Sequence, residues 1–237
     1  RREFTPKESY IMKILHFYPF FIIVIILLSR NLKGAEAKDV AEHWRKAEIT
    51  LSSSLSLDCL KKMGLMKQHN VNLGVCVDER MRDLIIEIKH GVVYFRFFVG
   101  DAFTVKLIKA LSYHFDGLQF LDENSFPPDA QLDAILYVEL LDAGMSVKKQ
   151  VTRASVYSEG HLSIKGTIRD KKNSIIWVGT VKTEGKGIKW YASGNNLLGD
   201  EQLKGIEQAI DLAIANLINQ MFLSNNMKNE IIQWEND

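Results

Sequence analysis

The chain has 237 residues, of which 46% are hydrophobic and 25% are charged, the balance of an ordinary globular protein. Residues 1–37 hold six of the 30 basic and three of the 29 acidic residues, which leaves 24 basic and 26 acidic groups in the other 200 residues, a formal charge of −2. Nucleic acids and anionic lipids attract clustered positive charge, so this balance predicts no nucleic-acid partner, and the length predicts one good-sized domain.

A long apolar run near the start of the chain predicts an export signal. The run from Phe20 to Leu28, with its apolar flank, amounts to about a dozen residues, whereas a helix that spans a bilayer needs roughly 20. Lys13 supplies positive charge before the run, and Ala35-Glu36-Ala37 after it has the small-x-small pattern that a signal peptidase recognises. We therefore interpret residues 1–37 as a leader, or signal peptide, that is removed on export to the periplasm.

An uncleaved anchor is the alternative interpretation of the same segment. Arg30 and Lys33 lie between the apolar run and the small-residue site, where cations disfavour export. The chain would then be attached to the inner membrane through this segment and face the periplasm. Attachment through a bacterial lipoprotein acyl chain needs a cysteine directly after the apolar run, and Cys59 and Cys76 lie well beyond it. The chain has no Asn-x-Ser/Thr site, which favours a bacterial source.

The two cysteines leave two interpretations open. In an exported chain, a Cys59–Cys76 disulfide would close a loop of about 18 residues and contribute on the order of 3 kcal/mol. The alternative is two buried free thiols, because cysteine packs as a small hydrophobic residue and Cys76 lies within the apolar stretch "VNLGVCV".

Residues 38–69 have a helical or mixed pattern, and we interpret them as an N-terminal extension of the domain. The stretch "DVAEHWRKAEI" (39–49) can form an amphipathic helix with Val40, Trp44 and Ala47 on one side. The following stretch, "LSSSLSLDCLKKMGLM", alternates like a strand in its first half and has helical spacing in its second half.

Two strand regions and a helix come next. The β-branched stretch 71–77 predicts a buried strand, and residues 83–100 predict one or two strands with a turn near His90-Gly91. Residues 101–115 predict a helix that Asp101 caps. Its apolar face is predicted to hold Phe103, Leu107, Ile108, Leu111 and Phe115, and its solvent face Lys106, Lys109 and Ser112.

The second half of the chain predicts a strand meander followed by a long helix. Residues 122–131 form a loop with paired prolines, and three strands follow at 134–144, 153–170 and 173–185, the last two joined by a polar turn at 169–173. The strand at 153–170 alternates, with Leu162, Ile164 and Ile168 on one side and Ser163, Lys165 and Thr167 on the other, which predicts an antiparallel sheet with one wetted face. Asp200 is predicted to cap a helix over 200–222. Its apolar stripe consists of Leu203, Ile206, Ile210, Ala213, Leu217 and Met221.

This order of elements predicts the α+β class. We expect a two-layer domain over residues 70–223, with a mostly antiparallel sheet and one or two long helices packed on one face. Residues 224–237 are a polar C-terminal tail in which Ile231, Ile232 and Trp234 could dock on the domain.

Four stretches of the domain resemble a known group of proteins. They are "VGDAFTVKLIKALSYHFDGLQFL", "DAILYVEL", "IRDKKNSIIWVGTV" and "AIDLAIANLINQM". Over roughly residues 70–223 this pattern is similar to small envelope proteins of Gram-negative bacteria, including the YajG-like and ABC-transport-auxiliary lipoproteins. The resemblance implies a periplasmic or outer-membrane-associated accessory protein without catalytic residues. The chain departs from the group because it lacks the cysteine that accepts the lipid.

The chain shows no motif that points to an enzyme, a metal or a cofactor. It has no G-x-S-x-G elbow, and its six histidines are too widely separated for a metal motif. A thiol–imidazole pair of Cys76 with His90 or His114 would need a fold that brings them together. Paired carboxylates can do acid–base chemistry on glycans, but we interpret the acidic residues of the loop as residues that keep it solvated. They are Asp122, Glu123, Asp129 and Asp133.

Trp190 and Tyr191 are candidate interaction anchors, because they lie in the polar stretch that precedes the last helix and aromatic side chains often anchor interfaces. The alternative is that Trp190 packs over the end of the sheet. We expect a non-enzymatic periplasmic accessory protein that binds another envelope protein or complex at the outer membrane, through its sheet edges or hairpin loops. The alternative function is a carrier of lipid or another hydrophobic ligand.

Overall fold

The computed structural model describes residues 46–64, 68–90, 93–127, 131–150, 155–187, 190–191 and 203–236. The leader and the first part of the N-terminal extension lie outside these residues. Five helices and nine strands are described, in the order β1 (Lys46–Thr50), α1 (Leu57–Met63), β2 (His69–Val77), α2 (Glu79–Arg82), β3 (Ile85–His90), β4 (Val93–Phe98), α3 (Val99–Leu111), β5 (Phe115–Leu121), β6 (Ala134–Gln150), β7 (Ser155–Asp170), β8 (Ile175–Lys186), β9 (Trp190–Tyr191), α4 (Lys204–Leu223) and α5 (Asn225–Trp234).

The strands form two sheets, and the α+β class predicted from the sequence is confirmed. The main sheet has the order β5-β2-β6-β7-β8, with the short β9 paired to β7, and the small sheet has the order β1-β4-β3. Both are mixed: β2 runs parallel to β5 and β6, whereas β6, β7 and β8 form the predicted antiparallel meander. A parallel pair requires a long crossover, and the chain from β2 to β5 provides it through α2, β3, β4 and α3.

The alternation in β7 places its predicted apolar side in the core. The apolar residues predicted on one face of β7, Leu162, Ile164 and Ile168, are buried. On the opposite face Lys165 is half-buried, and its Nζ donates a hydrogen bond of 2.8 Å to the Glu139 carboxylate on β6. Its neighbours on that face, Ser163 and Thr167, are buried, so the prediction of a wetted face is wrong for this part of the strand.

The turn between β7 and β8 follows from one aspartate and one asparagine. The Oδ1 atom of Asp170 accepts hydrogen bonds from the backbone N–H groups of Lys172 (2.9 Å) and Ser174 (2.7 Å). Asn173 has φ 62°, in the left-handed region that asparagine tolerates better than most residues. The polar turn predicted at residues 169–173 therefore reverses the chain with its backbone groups satisfied.

Helix α4 supplies the largest part of the helical layer, and its predicted apolar stripe is confirmed. All six stripe residues are buried: Leu203, Ile206, Ile210, Ala213, Leu217 and Met221. The helix begins at Lys204 with Leu203 at the N-cap position and no side-chain cap. The predicted cap, Asp200, lies outside the described residues.

Glycines let the first half of α4 touch the sheet backbone to backbone. A Cβ atom at Gly185 of β8 would lie 2.0 Å from the Gly205 carbonyl oxygen, and one at Gly160 of β7 would lie 2.6 Å from the Ile206 Cα. Thr183 adds a hydrogen bond from its hydroxyl to the Ala209 carbonyl at 2.8 Å. This end of the helix–sheet interface is therefore closed.

Helix α3 starts two residues before the predicted position, and its predicted cap is wrong. Leu84 O accepts hydrogen bonds from the N–H groups of Val99 and Gly100, both at 3.0 Å, so a preceding carbonyl satisfies the first turn. Asp101 lies inside that turn, and Phe98 occupies the N-cap position without a side-chain hydrogen bond. Lys106, which was predicted to face solvent, is buried.

Both chain segments that flank the predicted domain contribute to the same core. Residues 46–50 are a strand rather than the end of a helix, and β1 pairs in parallel with β4. Cys59 and Met63 of α1 are buried in the main cluster, as are Met227 and Ile231 of α5. A short helix therefore follows Ser224, and the docking predicted for Ile231 is observed.

Cys59 and Cys76 are both free and buried, so the disulfide interpretation is corrected in favour of two free thiols. On β2, Val75 and Val77 point into the main core that contains Cys59. Cys76 points to the opposite face and packs in a second, smaller cluster with Leu121, Leu132 and Ile135. Because the sheet lies between the two sulfur atoms, a bond between them would require the sheet to open.

Substitution of Gly185 by alanine should destabilise the protein by about 2 kcal/mol or more, because the added Cβ would meet the backbone of α4, which cannot move without disturbing the core. Urea denaturation would measure the change. Gly144→Ala is the matched control, since a Cβ there meets only the movable ring of His161. If both variants lost the same free energy of unfolding, the close contact between Gly185 and α4 would not be the cause.

Candidate functional site

A concave groove lies between α1 and the first half of α4, and we call it the α1–α4 groove. Its volume is about 510 Å³. The lining residues are Ser56, Asp58, Cys59, Lys61, Lys62, Lys186, Lys204, Glu207, Gln208, Asp211 and Leu212. The site therefore joins α1, the end of β8 and α4, three elements that are far apart in sequence.

Hydrogen bonds from α3 and α4 hold the segment that carries α1. The backbone N–H of Ser52 donates to the Glu207 carboxylate at 2.8 Å, and the Nδ2 of Asn219 donates to the Lys62 carbonyl at 2.9 Å. Lys109 of α3 donates to the Ser53 carbonyl at 3.0 Å. One wall of the groove is thus fixed at both ends by side chains of other elements.

A buried ion pair lies beneath the groove. Lys106 Nζ of α3 is 2.7 Å from Asp211 Oδ1 of α4, and their side chains are 2% and 8% exposed. The other carboxylate oxygen of Asp211 accepts the backbone N–H of Ser56, the N-cap residue of α1, at 3.1 Å. Burial of a charge costs several kcal/mol, so each partner is stable there only because the other one is present.

Sequence reasoning placed Lys106 in solvent because a lysine on the polar side of a helix is normally exposed. Its partner lies 105 residues away in sequence. Asp211 interrupts the apolar pattern of α4, and a charged residue among buried positions was the one local signal that it needed a partner.

Four lysines stand on the rim of the groove: Lys61, Lys62, Lys186 and Lys204. All four are exposed. Within the part of the chain that the structure describes, the lysine ion pairs are formed by Lys106, Lys148, Lys165 and Lys171, and none of the rim lysines takes part. The rim therefore offers four ammonium groups to a ligand.

The thiols are poor candidates for nucleophilic chemistry. Burial raises the pKa of the Cys59 thiol to about 11, and the nearby Asp211 carboxylate acts in the same direction. Burial also raises the pKa of Cys76. Since the thiolate is the reactive form, both remain protonated and weakly reactive at neutral pH. The considered partner His114 precedes β5 at the end of the β2–β5 pair opposite Cys76, so the structure does not bring the two together.

A second cluster of titratable groups lies where β2, β5 and the C-terminal helices meet. His69 Nδ1 is 2.8 Å from Glu235 Oε1, and its ring stacks on Phe222 at 5.7 Å between centroids. His114 packs against the same Phe222 at 4.7 Å, and its Nε2 is buried with no hydrogen-bond partner among the described residues. Burial, together with the neighbouring His69, lowers the pKa of His114. The cluster is packed inside the fold and does not line the groove.

Two of the four loop acids make structural contacts, and Glu123 is exposed. Asp133 accepts the backbone N–H of Asn72 at 2.9 Å and forms an ion pair with Lys171 at 2.9 Å. Asp122, which is 89% exposed, lies 3.4 Å from Arg82, and Asp129 lies outside the described residues. Across the described ranges, no group of three or more His, Cys, Asp or Glu side chains could hold a metal ion.

The predicted anchors Trp190 and Tyr191 form β9, whose backbone pairs with Val156 and Ser155 of β7. Their side chains lie outside the described part of the chain, so their role as interaction anchors stays a prediction.

None of the described helices has the length and apolar character needed to cross a membrane.

No protein-family model and no curated protein matches the sequence. Among solved structures, the chain is similar to a homolog of neuraminyllactose-binding hemagglutinin from Helicobacter pylori, with 13% identity, 78% of this chain and 97% of that chain covered, and a TM-score of 0.46. It is similar to a minor lipoprotein from Acinetobacter baumannii, with 11% identity, coverage of 70% and 94%, and a TM-score of 0.32. A lipoprotein from Neisseria meningitidis has 11% identity, coverage of 65% and 99%, and a TM-score of 0.29. Similarities at this level do not decide the function, which has to follow from the site itself.

Replacement of Asp211 by alanine should cost about 3–5 kcal/mol in the free energy of unfolding, because it leaves the Lys106 ammonium buried without a counter-charge. Chemical denaturation would measure the loss. The control on the same helix is Glu207→Ala, which removes one hydrogen bond from a less buried site and should cost about 1 kcal/mol. The double variant Lys106→Met, Asp211→Leu should recover most of the stability. A D211A variant no less stable than E207A would contradict the role of the pair.

The lowered pKa of His114 predicts a loss of stability in mild acid. The unfolded chain takes up a proton at this residue near the ordinary imidazole pKa of about 6.5, whereas the folded protein does so only at lower pH. The free energy of unfolding should therefore fall as the pH decreases through about 6.5, until the folded-state pKa is passed. Urea midpoints measured from neutral to mildly acidic pH should decrease less in His114→Phe than in the original protein. An unchanged pH dependence would show that His114 is not its source.

Proposed function

We propose that the chain is a non-enzymatic accessory protein of the bacterial envelope. It acts after export to the periplasm and binds another envelope protein in the α1–α4 groove. The observation that carries the proposal is the groove itself, a concave site of about 510 Å³ whose wall α1 is held in place by α3 and α4. A rigid wall favours binding because little order has to be created when the partner arrives.

The chemistry of the groove supports binding rather than catalysis. Its nucleophile candidate, Cys59, is protonated at neutral pH because burial raises its pKa to about 11. Its most buried carboxylate, Asp211, is already neutralised by Lys106 and hydrogen-bonded to Ser56. These contacts leave neither group available as a general base, so the groove residues are better suited to hold a partner than to transform one.

The sheet edge is a less suitable docking surface than the groove. Strand β8 lies at one end of the main sheet among the described strands, and its exposed side chains include Lys182, Glu184 and Lys186. Charged side chains on an edge strand discourage the addition of another strand.

The alternative, a lipid carrier, requires space between helix and sheet. The close contacts of α4 with Gly160 and Gly185 close the first half of that interface. A bound lipid would have to separate the two layers there, which supports the accessory-protein proposal over the carrier.

Site-specific photo-crosslinking tests the proposal. A photoreactive amino acid would replace Leu212 in the groove or, as the control, Val178, a residue of β8 that is 49% exposed and does not line the groove. In the bacterium that makes the protein, we expect light to give a discrete adduct with an envelope protein from position 212 only. The additional change Gln208→Trp, which fills the groove and removes one hydrogen bond from the Lys186 N–H, should remove the adduct while the protein stays folded, with a loss of about 1 kcal/mol in the free energy of unfolding.

The same adduct from both positions, or an adduct that persists in the filled groove, would contradict the groove as the docking site. Lipid found by mass spectrometry in the purified protein, at one molecule per chain, would support the carrier instead.

A further inference from the structure

We infer that the segment bound in the α1–α4 groove is acidic, a stretch of polypeptide rich in Asp and Glu whose carboxylates face the four rim lysines. The inference rests on the proposed function, because it names the chemistry of the partner for the same groove. It adds the requirement that the bound segment be negatively charged, which the shape of the groove does not impose.

The charge of the rim is the first argument. Two of the four lysines, Lys61 and Lys62, stand on α1, and the other two, Lys186 and Lys204, stand at the end of β8 and the start of α4. Three carboxylates, Asp58, Glu207 and Asp211, also line the groove. The carboxylate of Asp211 is compensated by the buried Lys106. Among the described lining residues, the four ammonium groups therefore outweigh the two remaining carboxylates. This local excess occurs in a chain whose formal charge is only +1.

The orientation of α4 is the second argument. The helix has 20 residues, and its N-terminus, which carries the positive end of the helix dipole, opens beside Lys204 at the groove. Among the described residues no side chain caps this end, and Glu207 is the one acidic residue in its first turn. The backbone therefore adds to the attraction that the lysines exert on an anion.

The rim cations are lysines rather than arginines, which favours a ligand with several carboxylates over one with a single phosphate group. Among the described residues, those that line the groove include lysines but no arginine. Lysine presents a point charge on a flexible stem, whereas arginine presents the planar fork that grips one phosphate with two hydrogen bonds. Four separate point charges around an open groove match negative charges that are distributed along a ligand. The methylene stems of the lysines, together with Leu212, give such a ligand an apolar surface to lie on.

Exposed ion pairs are individually weak, so each lysine should change the affinity by only about two- to fivefold, and the group should act together. Their attraction is screened by salt, with a Debye length of about 10 Å at 0.1 M. The expected signature is therefore binding that weakens steeply with ionic strength and with the number of lysines removed.

The test uses a fluorescent oligoglutamate peptide as the probe and the full chain as the receptor. Fluorescence anisotropy should show binding at low salt that weakens about tenfold or more in the variant Lys61→Gln, Lys62→Gln, Lys204→Gln. The matched control is Lys172→Gln, Lys182→Gln, Lys228→Gln, which removes three exposed lysines away from the groove and should leave the affinity unchanged. Both variants keep the buried Lys106, and their urea midpoints would verify that they fold.

Three outcomes would overturn the inference. The first is equal affinity of the two triple variants for the peptide. The second is binding to phosphatidylglycerol vesicles with no binding to the peptide, which would identify a membrane surface as the anionic partner. The third is competition by inorganic phosphate alone at concentrations that leave the ionic strength unchanged.

Failure of the inference can be told apart from failure of the proposed function. If the groove photo-adduct at Leu212 survives the loss of the three rim lysines but disappears with Gln208→Trp, the groove binds a protein without needing its acidity. The proposed function then stands and the acidic segment is rejected. If position 212 gives no specific adduct, the proposed function itself fails.

Discussion

The ion pair between Lys106 and Asp211 connects the parts of the fold on which the groove depends. It joins α3 to α4, and the second oxygen of Asp211 reaches the start of α1 through the backbone of Ser56. Two desolvated charges are tolerated only in a fixed arrangement, so they restrict how the three helices can be placed relative to one another. A hydrophobic pair of similar size could give equal stability, but it would not orient the N-terminus of α1 through a hydrogen bond.

The sheet constrains α4 from its other side. Gly160 and Gly185 bring the backbones of β7 and β8 against the first half of the helix, so that α4 can neither rise from the sheet nor accept larger side chains there. The floor of the groove belongs to the same helix as this contact. A binding site built on such an element is positioned by the core.

Much of the fold could be predicted from periodicity, whereas the site could not. The stripe of α4 and the alternation of Leu162, Ile164 and Ile168 in β7 are local patterns, and the structure confirms them. The start of α3 was wrong because its first amides bind the carbonyl of Leu84, and the sequence does not reveal which distant acceptor a helix will meet. The groove unites α1, β8 and α4 through contacts over long sequence separations, and local patterns carry no information about such contacts.

The positions of the two thiols bear on how the chain acquires its fold. A protein that is exported unfolded enters an oxidising compartment, where thiols become paired unless they are withdrawn from the catalysts of oxidation. Cys59 and Cys76 end on opposite sides of the main sheet. A covalent link made between them before β2 has taken its place would trap the chain in a form that cannot assemble the sheet. Under the proposed export, the fold therefore requires that both sulfur atoms be buried before oxidation can join them.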